Sequence, residues 1–325
     1  MSLQENHKAD IIVLNYNGIE YLKKCLVSLY ENIEMPFSVI VVDNASTDGD
    51  YSFLQEYPNL SFIPLDRNYG FSYGVNVGIN ACSSEFVVLL NNDTEVEKGW
   101  LEHLVSCISY DEKIFSVCSK MVQMKNKDLL DDAGDDYTLL GWAYQNGHGK
   151  PVDNYNKQRT VFSCCGGASI YRREVFEEIG YFDEAFFAYM EDVDIGYRAR
   201  IHGYKNIYCP EAVVYHVGSA SSGSRYNAFK VKLAARNNLY VPYKNIPLLQ
   251  LAINLPFLVI GFLIKYLFFV AKRLGKEYRQ GIAEGLRTLN GIKRTKFQLK
   301  HFWNYVKIEG LLIKNTFRYV FSKVF

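Results

Sequence analysis

From Ala9 to about His216, short apolar runs that end in polar clusters alternate with segments whose apolar residues recur at helical spacing. Ala9–Asn15 predicts a buried strand closing on the turn Asn15-Tyr16-Asn17-Gly18. Ile19–Asn32 follows with apolar residues at Leu22, Cys25, Leu26 and Leu29, the spacing of an amphipathic helix. Further strands are predicted at Phe37–Val42, Leu60–Leu65, Phe86–Leu90 and Phe115–Met121, with helices at Tyr51–Tyr57, Phe71–Ala81 and Trp100–Ser109 between or after them. Strand, helix, strand at short spacing means parallel βαβ units, so the expected fold class is α/β with a doubly wound, mostly parallel sheet.

Beyond this the pattern is less regular. Lys125–Gln158 is polar and rich in Gly, Asp and Asn, and is expected to be an excursion or mobile loop outside the core, a candidate lid over a bound ligand. Phe162–Tyr171 predicts a strand, Arg173–Ile179 a short helix, and Glu191–His202 a helix with Val193, Ile195, Tyr197 and Ile201 at its apolar positions. Lys205–Tyr208 and Val213–His216 read as two strands around Cys209-Pro210. Asn245–Ile264 is charge-free and about as long as the roughly 20 residues a membrane span needs. Pro247, Gln250, Asn254 and Pro256 interrupt it and basic residues flank both ends, which favours a helix in the membrane surface over a span. Phe297, Phe302, Trp303 and Tyr305 among Lys296, Lys300 and Lys307 extend this interfacial character.

Composition changes this picture in two places. The net charge of +1 over 325 residues hides an asymmetry: Lys272 to Phe325 holds 13 Lys and Arg against 3 Glu and no Asp, leaving 23 basic and 32 acidic residues before it. A basic tail beside an apolar segment suits an anionic membrane surface, and nucleic acid less well, because the apolar run has no role there. Seven scattered cysteines form no disulfide framework or zinc spacing, and the polar stretch Met1 to Asp10 has no signal-peptide core, so a reduced, cytosolic setting is expected. The remaining values, 49% hydrophobic and 22% charged, are those of an ordinary globular chain with a sizeable core. The division expected is 1–243 as an α/β domain and 244–325 as a basic, aromatic, helical membrane-associated region.

The candidate chemistry stands where strands end. Carboxylates just past buried parallel strands lie at the sheet edge where open α/β folds bind ligands. Asp43, followed by Asn44, Ser46, Thr47 and Asp48, could hold a base and ribose, or simply form a capped strand-to-helix loop. Asn91-Asn92-Asp93 could hold a hard divalent cation through Asp93, with Asn91 or Asn92 on the ribose; capping of the next helix is the competing reading. Arg67, Asn68 and Gly70 offer a charge and a flexible turn nearby. Glu191-Asp192-Val193-Asp194 opens a helix; Asp192 is a candidate general base with Glu191 and Asp194 shaping its field, while helix-end acids and an Asp194–Arg198 pair are the plainer account. His216 could complete a metal shell.

Taken together, Ile12-Val13-Leu14-Asn15-Tyr16-Asn17-Gly18, Val42-Asp43-Asn44-Ala45-Ser46-Thr47-Asp48-Gly49, Asn68-Tyr69-Gly70-Phe71, Leu90-Asn91-Asn92-Asp93, Gly166-Gly167-Ala168, Gly180-Tyr181-Phe182-Asp183-Glu184 and Glu191-Asp192-Val193-Asp194-Ile195-Gly196-Tyr197-Arg198 occur in the order found in inverting glycosyltransferases of family 2 with the GT-A fold. The chain resembles most closely the rhamnosyltransferase-like branch that builds bacterial surface polysaccharides, over about Ala9 to Ser219. The resemblance implies a GT-A, Rossmann-like sheet, with Asp43 on the nucleotide base, Asp93 and His216 on a divalent metal (Mg²⁺ or Mn²⁺), and Asp192 as catalytic base. Asn15, Asn17, Asn44, Arg67, Asn68, Gly70, Asn91 and Asn92 would line the donor; Gly166, Gly167, Glu191 and Asp194 would stand on the acceptor side. Asn91 replaces the usual first acid of the family's Asp-x-Asp motif, and the Gln-x-x-Arg-Trp motif of processive synthases is absent, which points to addition of one or a few sugars.

What the resemblance implies is transfer of a sugar, rhamnose from deoxythymidine diphosphate rhamnose first and uridine diphosphate hexoses next, to a lipid-linked saccharide at the cytoplasmic face of the membrane. A homo-oligomer remains open. Two rivals stand beside it: a nucleotidyltransferase, which usually carries a Gly-rich basic phosphate loop that Asn15-Tyr16-Asn17-Gly18 lacks, and a non-catalytic membrane scaffold with a degenerate transferase domain.

Overall fold

Runs such as Ile11-Ile12-Val13 and Val39-Ile40-Val41-Val42 are buried on both faces, as strands of a sheet covered by helices on each side must be. The computed structural model describes residues 7–218 and 226–324, with side chains to 321; the Met1 to Asn6 part of the polar N-terminus and Ser219 lie outside the described residues. Its strands are β1 (Ala9–Asn15), β2 (Phe37–Asp43), β3 (Leu60–Pro64), β4 (Phe86–Asn91), β5 (Thr94–Val96), β6 (Ile114–Gln123), β7 (Leu130–Asp132), β8 (Asp135–Tyr137), β9 (Ala143–Gln145), β10 (Arg159–Val161), β11 (Ala168–Arg172) and β12 (Lys205–His216). Its α-helices are α1 (Ile19–Asn32), α2 (Phe71–Ala81), α3 (Trp100–Ser109), α4 (Val175–Ile179), α5 (Glu191–Ile201), α6 (Ala228–Asn245), α7 (Leu248–Ala271), α8 (Gly275–Thr288) and α9 (Phe302–Val324).

The main sheet runs β10-β12-β6-β11-β4-β1-β2-β3, with β5 and β7 paired to β12 and β6. The pairings β1–β2, β1–β4, β2–β3 and β6–β12 are parallel, and β11 runs against both its neighbours. The sheet is therefore mostly parallel, as expected. Alternation along each strand sorts side chains to two cores. Ile11, Val13 and Val88 meet α1 and α3 on one face through Leu22, Leu26, Trp100 and Leu104. Ile12, Val87 and Leu89 meet α2, α4 and α5 on the other through Val75, Phe176 and Ile195. A third cluster joins Val193, Tyr197 and Ile201 of α5 to Tyr240 of α6 and to Tyr305, Ile308 and Leu312 of α9.

Three expectations are corrected. Lys125–Gln158 is not a loose excursion: β7 adds to the sheet, β8 and β9 form a hairpin, and Leu130, Asp132, Ala133 and Tyr137 are buried. Several of its polar residues, among them Asp131, Asp132, Asp135, Asp136, Thr138 and Asn146, are buried, which composition alone reports as exposure. The Phe162–Tyr171 strand begins only at Ala168, because 162–167 form a turn that carries Gly166-Gly167 between β10 and β11. The two strands around Cys209-Pro210 are one, β12, whose pairing with β6 slips between Cys209 and Val213. Proline cannot donate to the ladder, and a bulge accommodates it.

Candidate active site

The parallel register places the ends of β2, β1 and β4 side by side: Asn15 lies opposite Asp43, and Leu14 opposite Asn91. The polar residues there are already cross-linked. Asn15 Nδ2 donates to Asp43 Oδ1 at 2.7 Å, and Asn92 Nδ2 donates to Asn15 Oδ1 at 2.7 Å. The Ser46 amide and hydroxyl both donate to Asp43, at 2.8 and 2.6 Å. Asn17 folds back, its amide on Ser46 Oγ and its side chain accepting from the Thr47 amide, each at 2.8 Å. Tyr51 donates to Asp48 at 2.6 Å and accepts from Asn15 at 2.9 Å. Asn44 reaches the backbone of Tyr69 and Gly70, and Asn68 accepts from the Gly70 amide. Gly70 has φ +86°, and a Cβ there would stand 2.5 Å from the Phe187 carbonyl oxygen, so only glycine fits. Arg67 is exposed and stacks on Tyr69, 4.4 Å from the ring centre.

A second group comes from distant parts of the chain. The antiparallel pair β5–β12 sets His216 opposite Thr94, which leaves His216 Nε2 3.3 Å from Asp93 Oδ1. On the other side, His216 Nδ1 lies 2.7 Å from Asp131 Oδ2, and Asp131 Oδ1 lies 3.3 Å from His148 Nδ1. Burial alone would lower the His216 pKa, but hydrogen bonding to Asp131 and Asp93 raises it to about 10. The position between these carboxylates therefore favours positive charge. One carboxylate oxygen and one imidazole nitrogen facing each other is a donor set that fits a divalent cation completing its shell with phosphate oxygens. Asp131 fixes the ring in the manner of the outer carboxylates that orient metal-bound histidines. Lys230, in the first turn of α6, lies within electrostatic reach of Asp93.

Asp192 stands in the first turn of α5 and is joined to the end of β4 by the Gly166-Gly167 turn. The Gly166 amide faces the Asp192 carboxylate, while the Gly167 carbonyl accepts from the Asn91 amide at 2.8 Å. A Cβ on Gly167 would come 3.0 Å from Asn91 Nδ2, so the turn is held close. Burial pushes the Asp192 carboxyl up to about 6, against the pull of the Val193 and Gly166 amides. Burial also raises Glu191 and Asp132, and each keeps one carboxylate oxygen without a hydrogen-bond partner. Asp194 is fully buried and faces away: Arg198, Lys244 and Asn245 take its oxygens at 2.9, 3.0 and 2.7 Å. The structure thus does not bring Asp194 to the face that Asp192 occupies.

The loop entering α5 is strained, with positive φ at Phe187, Tyr189 and Met190. Asn237 Nδ2 of α6 holds it through the carbonyls of Phe186, Ala188 and Tyr189 at 2.7 to 2.9 Å, and the Phe187 carbonyl accepts from the Phe71 amide that starts α2. Asp131, Asn237 and Lys230 escape a reading of motifs. Each lies outside them, and the only trace of Asp131 is an acid pair set in the apolar frame Leu129-Leu130 and Ala133-Gly134.

Residues 10–180 match the family model described as glycosyl transferase family 2, more than half of the chain. The chain belongs to glycosyl transferase family 2. Within it, an N-acetylglucosaminyl-diphospho-decaprenol L-rhamnosyltransferase of Mycobacterium tuberculosis (strain CDC 1551 / Oshkosh) is 27% identical over 241 residues, covering 66% of this chain and 77% of that protein. The O-antigen chain rhamnosyltransferase WbaN of Salmonella anatum is 28% identical over 215 residues, covering 63% and 65%. The chain thus resembles the rhamnosyltransferase-like branch of the glycosyl transferases. A crystal structure of GalNAc-T7 with UDP, GalNAc and Mn²⁺ superposes with a TM-score of 0.60 at 16% identity, over 74% of this chain and 48% of that one, which shows the shared GT-A fold.

Proposed function

We propose that this glycosyltransferase moves one sugar, L-rhamnose from deoxythymidine diphosphate rhamnose as first choice, onto a hydroxyl of a lipid-linked saccharide with inversion at the anomeric carbon. The observation that carries the reading is the Gly166-Gly167 turn, which ties the candidate base Asp192 to the strand end bearing Asn91-Asn92-Asp93. The donor lies along the ends of β2, β1 and β4, its base and ribose on Asp43, Asn15, Asn17, Asn44 and Asn92 and its diphosphate toward Asp93. Asp93 and His216 hold a divalent cation, Mg²⁺ or Mn²⁺, which when bound offsets the charge of the departing diphosphate. Asp192 accepts the proton of the acceptor hydroxyl as its oxygen bonds to the anomeric carbon. The bond to the diphosphate breaks, and its electron pair leaves with the nucleotide.

Both relatives act as rhamnosyltransferases and the mycobacterial one on a decaprenyl-diphosphate-linked sugar, which supports rhamnose, a lipid-linked acceptor and a place in surface polysaccharide synthesis, with the cytoplasmic face of the membrane as the proposed site of work. Residues 1–243 carry the transfer and 244–325 the membrane attachment. Release of nucleotide from a panel of nucleotide sugars, with Mg²⁺, Mn²⁺ or EDTA, tests the reading in wild type, Asp93→Ala and Asp192→Asn. Metal-dependent turnover of one donor, lost in Asp93→Ala, with acceptor-dependent transfer lost in Asp192→Asn, is expected. Donor binding with no turnover in the presence of lipid-linked acceptor overturns it in favour of a scaffold.

A further inference from the structure

Helix α7 is long and apolar enough to cross a membrane by length and composition, and among the described residues it is the one helix that is. Its packing argues otherwise. The residues turned toward the protein recur along its whole length at helical spacing: Gln250, Asn254, Leu258, Gly261 and Lys265. Every turn of that stripe is fastened. Asn254 donates to Glu309 of α9 at 2.9 Å, and Gln250 donates to the same carboxylate. The Gly261 backbone lies so close to Leu140 that a Cβ would stand 2.1 Å from the Leu140 carbonyl oxygen, and Trp142 Nε1 donates to the Gly261 carbonyl at 3.1 Å. Lys265 Nζ donates to Asn238 of α6 at 3.3 Å. For α7 to cross a bilayer, Glu309 and Lys265 with their polar partners, together with the body behind them, would have to enter hydrocarbon, which is strongly unfavourable.

The opposite stripe is bare and apolar from end to end. Leu249, Ile253, Ile260, Leu263 and Leu267 fall within less than a quarter of the helix circumference and are 49 to 77% exposed. Helix α9 carries a second such stripe, with Trp303, Val306, Ile313, Phe317 and Val320 exposed over an opposite face buried by Tyr305, Ile308 and Leu312. Glu309, at the margin of that stripe, is the residue that bonds α7, so the two stripes adjoin. Basic residues accompany them: Lys272, Arg273, Lys276 and Arg279 follow α7, and Lys300, Lys307 and Lys314 lie on or beside α9.

We infer that the adjoining faces of α7 and α9 form a two-helix platform that lies flat in the interface of an anionic bilayer, with α7 in the membrane plane. The inference builds on the membrane attachment proposed above and gives it an orientation. Apolar side chains enter the acyl boundary while the lysines and arginines beside them meet anionic headgroups. The last turns of α7 also point to why the catalytic end sits there. Tyr226 packs on Phe268 and Phe269, with ring centres 5.8 and 5.7 Å apart, and Asn227 next to it caps α6, whose first turn brings Lys230 toward Asp93. A flat α7 therefore holds the Asp93 edge near the headgroups, where the diphosphate of a membrane-borne acceptor lies.

The test uses the full-length protein with vesicles of phosphatidylcholine, with and without phosphatidylglycerol. Nitroxides on Leu249→Cys, Ile260→Cys and Leu267→Cys report immersion depth by power-saturation spectroscopy. The expected result is one shallow depth at all three positions and binding that needs phosphatidylglycerol and weakens with salt. A depth that passes through the bilayer centre between Leu249 and Leu267 overturns the inference in favour of a span. No immersion, with self-association through the same positions in lipid-free solution, overturns it in favour of a second copy of the chain. Ile260→Glu with Leu267→Glu is expected to weaken vesicle binding by at least about tenfold. Hydrolysis of soluble donor by that variant stays at the wild-type rate, so loss of the platform is distinguished from failure of the transferase reading, in which no donor turns over at all.

Discussion

The two halves of the candidate site are built differently. At the ends of β1, β2 and β4 the polar groups satisfy one another across adjacent parallel strands, and almost every partner comes from Asn15 to Tyr51 or from Asn92. At the Asp192 and His216 edge the main supports come from segments outside the recognisable motifs. His216 is held by Asp131, 85 residues away, and the loop before Asp192 by Asn237, 48 to 51 residues from the carbonyls it holds. The first edge is a network in which neighbouring side chains share partners, so single losses there should be tolerated. The second edge is held by groups brought in from outside the motifs, Asp131 behind His216 and Asn237 behind the loop that enters α5.

The largest effect that would test this contrast is at the base itself. Asp192→Asn is expected to lower kcat by about 10²- to 10⁴-fold with donor Kd unchanged, measured by acceptor-dependent transfer and by calorimetry with unreactive donor. In the wild type the carboxylate must be ionised to accept a proton, and its pKa is raised to about 6. Activity should hold above that pH and fall about tenfold per pH unit below it. A profile flat down to pH 5 would remove Asp192 from the role.

Asn237→Ala removes the donor to three carbonyls of a strained loop, and about 2 to 3 kcal/mol of stability should go with it, seen in the urea midpoint. Its kcat should fall while donor affinity holds; equal loss of both would mean the two edges are not separate. Asp131→Asn keeps the shape of the side chain and removes the charge behind His216. Affinity for Mn²⁺ in the presence of nucleoside diphosphate should drop about 10- to 100-fold by electron paramagnetic resonance, with the melting curve little changed. The smallest effect is expected at the networked edge. Tyr51→Phe loses one bond to Asp48 and one from Asn15, and donor affinity should fall by no more than about fivefold, around 1 kcal/mol. A larger loss there would break the contrast from the other side.

This difference also explains what could be read from the sequence. Ala9–Asn15, Ile19–Asn32, Phe71–Ala81 and Trp100–Ser109 have the bounds that periodicity predicts, because local apolar spacing decides them. Asn15, Asp43 and Asn92 stand together because strand ends in a parallel sheet must. Lys125–Gln158 is opaque because Asp131, Asp132, Asp135 and Asp136 are buried in surroundings that no local pattern announces. Asp194 shows the reverse case: it sits inside a recognisable motif, yet its carboxylate serves the packing of α5 on α6. The late start of β11 after Gly166-Gly167 and the slip at Cys209-Pro210 both depend on neighbours in the sheet rather than on the segments themselves.

The burial of Asp194 carries a consequence for how such chains can be recombined. Two of its three partners, Lys244 and Asn245, follow the proposed boundary after Tyr243, and they hold α5, the helix that carries Asp192 in its first turn. A chimera joined there to the tail of another relative keeps the Arg198 pair but loses two of the three groups that satisfy a buried carboxylate, at about 1 to 3 kcal/mol for each partner not supplied again. Heads and tails of this chain are therefore not freely interchangeable modules. A graft that succeeds should carry a lysine and an asparagine at the same two places, or begin downstream of them.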